Sequence, residues 1–187
     1  SKRQLAEPFG QYVQPELVEE MARDPELYSM EGKKEELTVL FSDIRGFTSI
    51  SEALDSKELT HLMNEYFGAM TRVVQKNRGT LDKYIGDAIM AFWGAPVTDA
   101  DHARHAVQTA LQMQTELRKL DAQFTERGWP LLHIGVGVNT GTMTVGDMGS
   151  EVRKSYTVMG DAVNLGSRLE GITKTYGVGV IVSETTK

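Results

Sequence analysis

The sequence predicts an α/β chain of the α+β kind: one mixed, mainly antiparallel sheet with helices packed largely on one face. Three observations carry that prediction. Short apolar runs bounded by charge or glycine recur along the chain, and runs of this length read as strands. Two longer stretches, 57–77 and 101–125, place apolar residues at helical spacing. Closely spaced strands are separated by glycine-centred turns, so hairpins alternate with crossover helices.

Taken in order, QPELVEEMAR at 14–23 gives a short helical signal with Pro15 near its start, joined through Asp24-Pro25 and GKKEE to the first strand. That strand is LTVLF at 37–41, a continuous apolar run, the mark of burial on both faces. Leu62, Met63, Tyr66, Phe67, Met70, Val73 and Val74 then trace a helix that Gly79 stops. Strands come next at 80–85 and 88–93, folded over at Gly86-Asp87 and ended by Pro96. Val107, Ala110, Leu111, Leu117, Leu120 and Phe124 mark the second long helix. LLHIGVGVNTGTMTVGDMG reads as a glycine-rich hairpin turning near Asn139-Thr140-Gly141. SYTVMG is a strand, DAVNLGSRLEGITKTY a helix and VGVIVS a last strand.

Composition narrows the function. At 187 residues the chain is long enough for one compact domain. A net charge of −6 with no basic stripe argues against nucleic acid as a partner. There are no cysteines, which excludes disulfide frameworks and thiolate metal sites. No run approaches the roughly 20 apolar residues of a membrane span. The first residue is Ser1 rather than Met, which suggests a piece of a longer protein.

The chemistry concentrates in two places. Asp43 closes the LTVLFS strand, with Gly46-Phe47-Thr48 at the start of the following helix; Asp87 sits in the 80–93 hairpin. Each carboxylate has an ordinary reading, Asp43 as a helix cap and Asp87 as a turn residue. Together, at neighbouring strand ends beside a helix N-terminus, they match the needs of a two-metal phosphoryl site. Asn164 and Arg168 lie four apart on one helix face, while Ala162, Leu165, Leu169 and Ile172 trace a different, apolar face. An amide and a guanidinium so placed could stabilise charge developing on a phosphate, or simply be solvated. His102 and His105 have helical ligand spacing without an evident third ligand and read as a solvated helix start. Asp147 and Asp161 read as turn and cap residues, and Met63, Met70 and Met113 as core.

LFSDIRGFTSIS, MNEYFGAMT, GTLDKYIGDAIMAFWGAP, VNTG and YTVMGDAVNLGSRLE, in that order, resemble the catalytic domain of the class III adenylate/guanylate cyclases, and within it a bacterial Thr-type adenylate cyclase subgroup. The resemblance covers 36–187 and leaves 1–35 as an N-terminal helical connector. It implies a ferredoxin-like nucleotidyl cyclase fold converting ATP to 3′,5′-cyclic AMP and pyrophosphate. It implies that Asp43, the Ile44 carbonyl and Asp87 hold two Mg²⁺, with Mn²⁺ able to substitute, and that amides at Phe47 and Thr48 receive phosphates. Lys83 and Thr157 match the pair that reads adenine, and Asn164 and Arg168 the pair that orients ribose and stabilises the transition state. Lys only donates and Thr can accept, which suits adenine's ring nitrogen and amine.

Lys83 and Asp87 are roughly 13 Å apart along an extended strand, so spacing alone permits a one-chain site. The resemblance implies instead an antiparallel homodimer whose sites combine Asp43 and Asp87 of one chain with Lys83, Thr157, Asn164 and Arg168 of the other. It also implies a further hairpin beyond Lys187 with a phosphate-binding lysine, an upstream sensor domain, and a cytoplasmic location, as part of a membrane-anchored sensor. The rival readings are a catalytically silent regulatory dimerisation domain and a guanylate cyclase.

Overall fold

The computed structural model describes Gln4 and residues 7–187; the remainder of the 1–35 connector lies outside the described residues. The elements are α1 (Pro15–Arg23), β1 (Lys33–Ile44), α2 (Phe47–Ala53), α3 (Ser56–Lys76), β2 (Thr80–Ile85), β3 (Ala88–Trp93), α4 (His102–Glu126), β4 (Ile134–Gly149), β5 (Lys154–Met159), α5 (Asp161–Tyr176) and β6 (Val180–Val182). One sheet runs in the order β2-β3-β1-β4-β5, antiparallel throughout that path, and β6 pairs parallel with the first part of β4.

β1 is the middle strand, and its alternation decides what covers each face. Leu40 and Ile44 point to the side where α3 and α4 pack through Tyr66, Met70, Val74, Ala110 and Met113, all buried. This apolar stripe at three- and four-residue spacing is why 56–76 is helical. Asp55 caps α3, its side chain accepting from Glu58 N–H at 2.8 Å. Leu37, Val39 and Phe41 point to the opposite side, which α5 and the N-terminal segment share. The two longest helices therefore lie on one face, and the other face is covered by shorter elements.

The hairpin expected at Asn139-Thr140-Gly141 is not there. β4 runs unbroken for 16 residues and pairs with β1 from Lys33↔Val145 to Ile44↔Ile134, crossing the expected turn at Thr38↔Thr140. Its glycines serve close packing instead. A Cβ on Gly137 would sit 2.3 Å from Glu170 N, and one on Gly141 2.9 Å from Ala162 Cβ, so small residues let α5 lie directly on the strand.

The expected apolar face of α5 also shifts. Val163, Gly166 and Thr173 are its buried residues, whereas Leu165 and Ile172 are exposed. Gly166 approaches Val39 so closely that a side chain would not fit, and the helix seats on that contact.

The N-terminal segment is not a free linker. Phe9, Tyr12, Leu17 and Met21 are buried against the sheet, with Phe9 edge-on to Tyr156 at 5.2 Å. Tyr12 bridges the two edge strands: its carbonyl accepts from Leu81 N–H of β2 at 2.7 Å, and its hydroxyl accepts from Tyr156 N–H of β5 at 3.0 Å. The sheet is curled enough for its edges to meet over one side chain.

His102 and His105 are part-buried rather than solvated. His102 Nδ1 lies 2.7 Å from Thr38 Oγ1, and His105 Nδ1 lies 2.5 Å from Asp99 Oδ2. Asp147 is within β4, opposite Tyr156, and not in a turn. Met70 and Met113 are core, as expected.

Candidate active site

The first cluster forms where β1 ends. Asp43 and Ile44 are its last two residues, and the β2–β3 turn, with Gly86 at φ 61, brings Asp87 back against them. Asp87 Oδ2 accepts from Ile44 N–H at 2.8 Å, which fixes the turn to the strand end. Asp43 is therefore a strand residue, not a helix cap. Its Oδ1 is buried and has no hydrogen-bond partner among the described residues.

A third carboxylate faces the same place. Glu170 of α5 is pushed up to about 8, first by burial and then by the neighbouring Asp43, with Asp87 adding to the effect and Lys174 opposing it. Glu170 Oε2 is also buried without a partner among them. Three neighbouring carboxyl groups, with Glu170 held in its protonated form beside Asp43 and two buried oxygens lacking partners among the described residues, form a donor set that could hold a cation. An oxygen-only set suits a hard divalent ion such as Mg²⁺ or Mn²⁺. Sequence reasoning missed Glu170, although it lies on the Val163–Gly166–Thr173 stripe, where a carboxylate is out of place.

Phe47 and Thr48 open the short helix α2, after Gly46 in the left-handed region. Arg45 ties this corner down, donating to the Thr173 carbonyl at 3.2 Å and to that of Val178. By position, the first amides of α2 have no partner within the helix.

The second cluster joins the sheet edges. Thr157 Oγ1 of β5 donates to Asp82 Oδ2 of β2 at 2.5 Å, and Lys83 Nζ lies 3.4 Å from Asp82 Oδ1. Lys83 and Thr157, 74 positions apart (157 − 83), are thus brought together by one carboxylate. The register of β2 on β3 shifts between Leu81 and Lys83, so Asp82 is the extra residue of a bulge. That shift re-aims the strand: the Asp82 side chain is wholly buried, and Lys83 beside it is exposed.

Asn164 and Arg168 are exposed on α5, and both side chains project into solvent. Arg168 is two residues from Glu170, roughly 200° around a helix of 100° per residue. Within one chain, then, α5 turns Glu170 toward Asp43 and Arg168 away from it. The metal-type cluster and the Asn164–Arg168 pair do not converge on one pocket of a single chain.

Comparison with known proteins identifies the family. The family profile described as the adenylate and guanylate cyclase catalytic domain matches residues 30–187. Adenylate cyclase 1 of Rhizobium meliloti is 38% identical over 175 residues, 94% of this chain and 26% of that protein. The adenylate cyclase of Anabaena cylindrica is 41% identical over 150 residues, 80% of this chain and 30% of that protein. The chain thus spans less than a third of these relatives. Among solved structures, the adenylyl cyclase CyaB from P. aeruginosa aligns with a TM-score of 0.78 at 40% identity, covering 83% of this chain and 80% of that one. The guanylyl cyclase Cya2 aligns with a TM-score of 0.77 at 42% identity, covering 84% and 79%. With the family profile over most of its length and the cyclase fold matched at this identity, the chain belongs to the class III adenylate/guanylate cyclase catalytic domains.

Proposed function

We propose that this chain is an adenylate cyclase catalytic domain, forming 3′,5′-cyclic AMP and pyrophosphate from ATP at sites shared between two copies in an antiparallel homodimer. The observation that carries the substrate choice is the Asp82-centred pairing of Lys83 with Thr157. A donor beside an acceptor matches a ring nitrogen beside an amine, the edge adenine presents. The divergence of Glu170 and Arg168 on α5 supports the shared site, because a second chain can supply the missing half.

In the reaction the ribose O3′ forms a bond to the α-phosphorus, the bond from that phosphorus to the bridging oxygen breaks, and the 3′-hydroxyl proton is lost. Asp43, Asp87 and the Ile44 carbonyl would hold two divalent cations, whose chemistry is to acidify the 3′-hydroxyl and neutralise the triphosphate. Amides at Phe47 and Thr48 receive the terminal phosphates. Arg168 stabilises charge on the phosphoryl oxygens, and Asn164 orients the ribose.

A guanylate cyclase is the second reading, favoured by the similarity to Cya2. Incubation of the purified protein with ATP or GTP and Mg²⁺ or Mn²⁺, with chromatography of the products, separates the two. Cyclic AMP is the expected main product. Cyclic GMP as the main product overturns the base assignment, and no product from either nucleotide, in protein extended beyond Lys187, overturns the enzyme reading.

A further inference from the structure

Asp82 has no role in the proposed reaction, yet it is a charged residue whose side chain has no exposure. It occupies a bulge, where an extra residue interrupts the ladder between β2 and β3. Such a carboxylate is costly to bury unless its oxygens are used. Oδ2 receives the Thr157 hydroxyl at 2.5 Å; Oδ1 has no hydrogen bond, only the Lys83 ammonium at 3.4 Å. Burial raises the Asp82 carboxyl above the usual carboxylate range. The Thr157 hydroxyl, the Lys83 ammonium and a backbone contact at Val158 draw it back toward the charged form. Tyr12 clamps the two strands one residue before each partner, at Leu81 and Tyr156, so the pair cannot drift apart.

We propose that Asp82 is a positioning residue for base selection, which takes up the single hydroxyl proton of Thr157 and so leaves only lone pairs of that hydroxyl to face the nucleotide. This rests on the reading of Lys83 and Thr157 as the base-contacting pair. A hydroxyl normally rotates and serves as donor or acceptor as the ligand requires. An ionised carboxylate cannot donate, so the 2.5 Å bond fixes the rotor. Thr157 then accepts from an amine and repels a carbonyl. The same carboxylate attracts the Lys83 ammonium, 3.4 Å from Oδ1, and that ammonium still has hydrogens to offer an unprotonated ring nitrogen. Adenine satisfies both groups. Guanine, with a carbonyl opposite Thr157 and a ring N–H opposite Lys83, satisfies neither. Selectivity therefore comes from a residue that does not itself touch the base, since threonine alone is indifferent.

The test substitutes Asp82 and reads the ratio of kcat/KM for ATP to that for GTP. In Asp82→Asn the amide oxygen turns toward Lys83 and the NH₂ group faces Thr157, which releases the hydroxyl to donate outward. The ATP:GTP ratio is expected to fall about tenfold or more, the scale of one misplaced base hydrogen bond. Asp82→Ala, which frees the rotor, is expected to lower the ratio in the same direction. Thr157→Val, lacking the hydroxyl, should make Asp82→Asn nearly without further effect on the ratio. Binding of fluorescent ATP and GTP analogues gives the same ratio should turnover be too low, and thermal melts identify folded variants.

A purely structural role would depress both nucleotides together and leave the ratio unchanged; that result, in an ATP-preferring protein, overturns the proposal. So does an undiminished effect of Asp82→Asn in the Thr157→Val background. Preference of the unsubstituted protein for GTP is a different failure. It removes the base assignment, whereas a variant-dependent ratio would still report that Asp82 orients Thr157.

Discussion

The two ends of the β2–β3 hairpin hold their carboxylates in different surroundings. At the turn, Asp87 and Asp43 lie near Glu170, which burial and Asp43 push up to about 8, and Asp43 Oδ1 and Glu170 Oε2 have no hydrogen-bond partner among the described residues. Five residues earlier (87 − 82), the Asp82 side chain is wholly buried; its Oδ2 takes the Thr157 hydroxyl, and its Oδ1, without a hydrogen bond, has the Lys83 ammonium 3.4 Å away. In the proposed site the first end would draw its counter-charge from an external cation, whereas the second has an ammonium of the same chain beside it. A site that must bind a cation stores repulsion that the ion relieves, whereas a site that must discriminate bases holds its hydrogen-bonding pattern fixed before the ligand arrives. In the proposed dimer one hairpin would carry both, and because α5 turns Glu170 and Arg168 apart, the two ends would serve different nucleotides.

The largest expected effect breaks that division directly. Asp43→Ala and Asn164→Ala should each lower cyclase activity by roughly 10²-fold or more, the scale set by loss of a preorganised stabiliser. Mixing the two should restore activity, because a mixed dimer has one site with both defects and one with neither. Random pairing of equal amounts makes half the dimers mixed, so about a quarter of the original sites return in a two-fold symmetric assembly. A mixture no more active than its parts overturns the shared site.

The next effect is on stability, and its sign separates the ends. Mn²⁺ or Mg²⁺ at about 100 times its Kd should stabilise the protein by about 2.7 kcal/mol, which raises Tm by roughly 5–10 °C for a chain of this size. Asp43→Asn should abolish that rise and, without the ion, melt higher than the unsubstituted protein, since it removes a repelling charge. Asp82→Asn should keep the full rise. Equal responses in the two variants, measured by calorimetry, would mean that the ends are not distinct.

Much of this was legible in the sequence, and the misreadings have physical causes. The hairpin turn at 86–87 and helices at 57–77 and 101–125 carried local signals, and the structure has them within a residue or so. Asn139-Thr140-Gly141 carried a turn signal of the same kind, but its glycine makes room for Ala162 in a straight strand. Composition cannot tell a glycine needed for a turn from one needed for close approach. Asp43, Asp87, Lys83 and Thr157 stood out because they fall in recognisable motifs. Glu170, Asp82 and Tyr12 were not given roles, because each acts through contacts between residues distant in sequence, or through a bulge that local patterning does not mark. Tyr12 and Tyr156, joined by one hydrogen bond, lie 144 positions apart. Leu165 and Ile172, read as core, are exposed because the small Gly166 and not a large side chain sets the contact of α5.

The smallest effect concerns pH and sharpens the contrast from the Asp82 end. Burial raises the Asp82 carboxyl above 3.8, its ordinary value, despite the Thr157 hydroxyl, the Lys83 ammonium and the Val158 contact that pull the other way. In the folded state this group therefore keeps its proton to higher pH than in the unfolded chain. The folded state binds more protons between the two values, so stability falls as pH rises through that window and is greatest below it. Asp82→Asn cannot titrate and should lack this component. Urea unfolding of both proteins from about pH 3.5 upward, without divalent cations, gives the comparison. The stability of the unsubstituted protein relative to Asp82→Asn should decline with rising pH, then level off once Asp82 is ionised in both states. A relative stability that instead rises with pH would mean that Thr157 and Lys83 outweigh burial, and that this end of the hairpin favours the charged carboxylate more strongly than its surroundings penalise it.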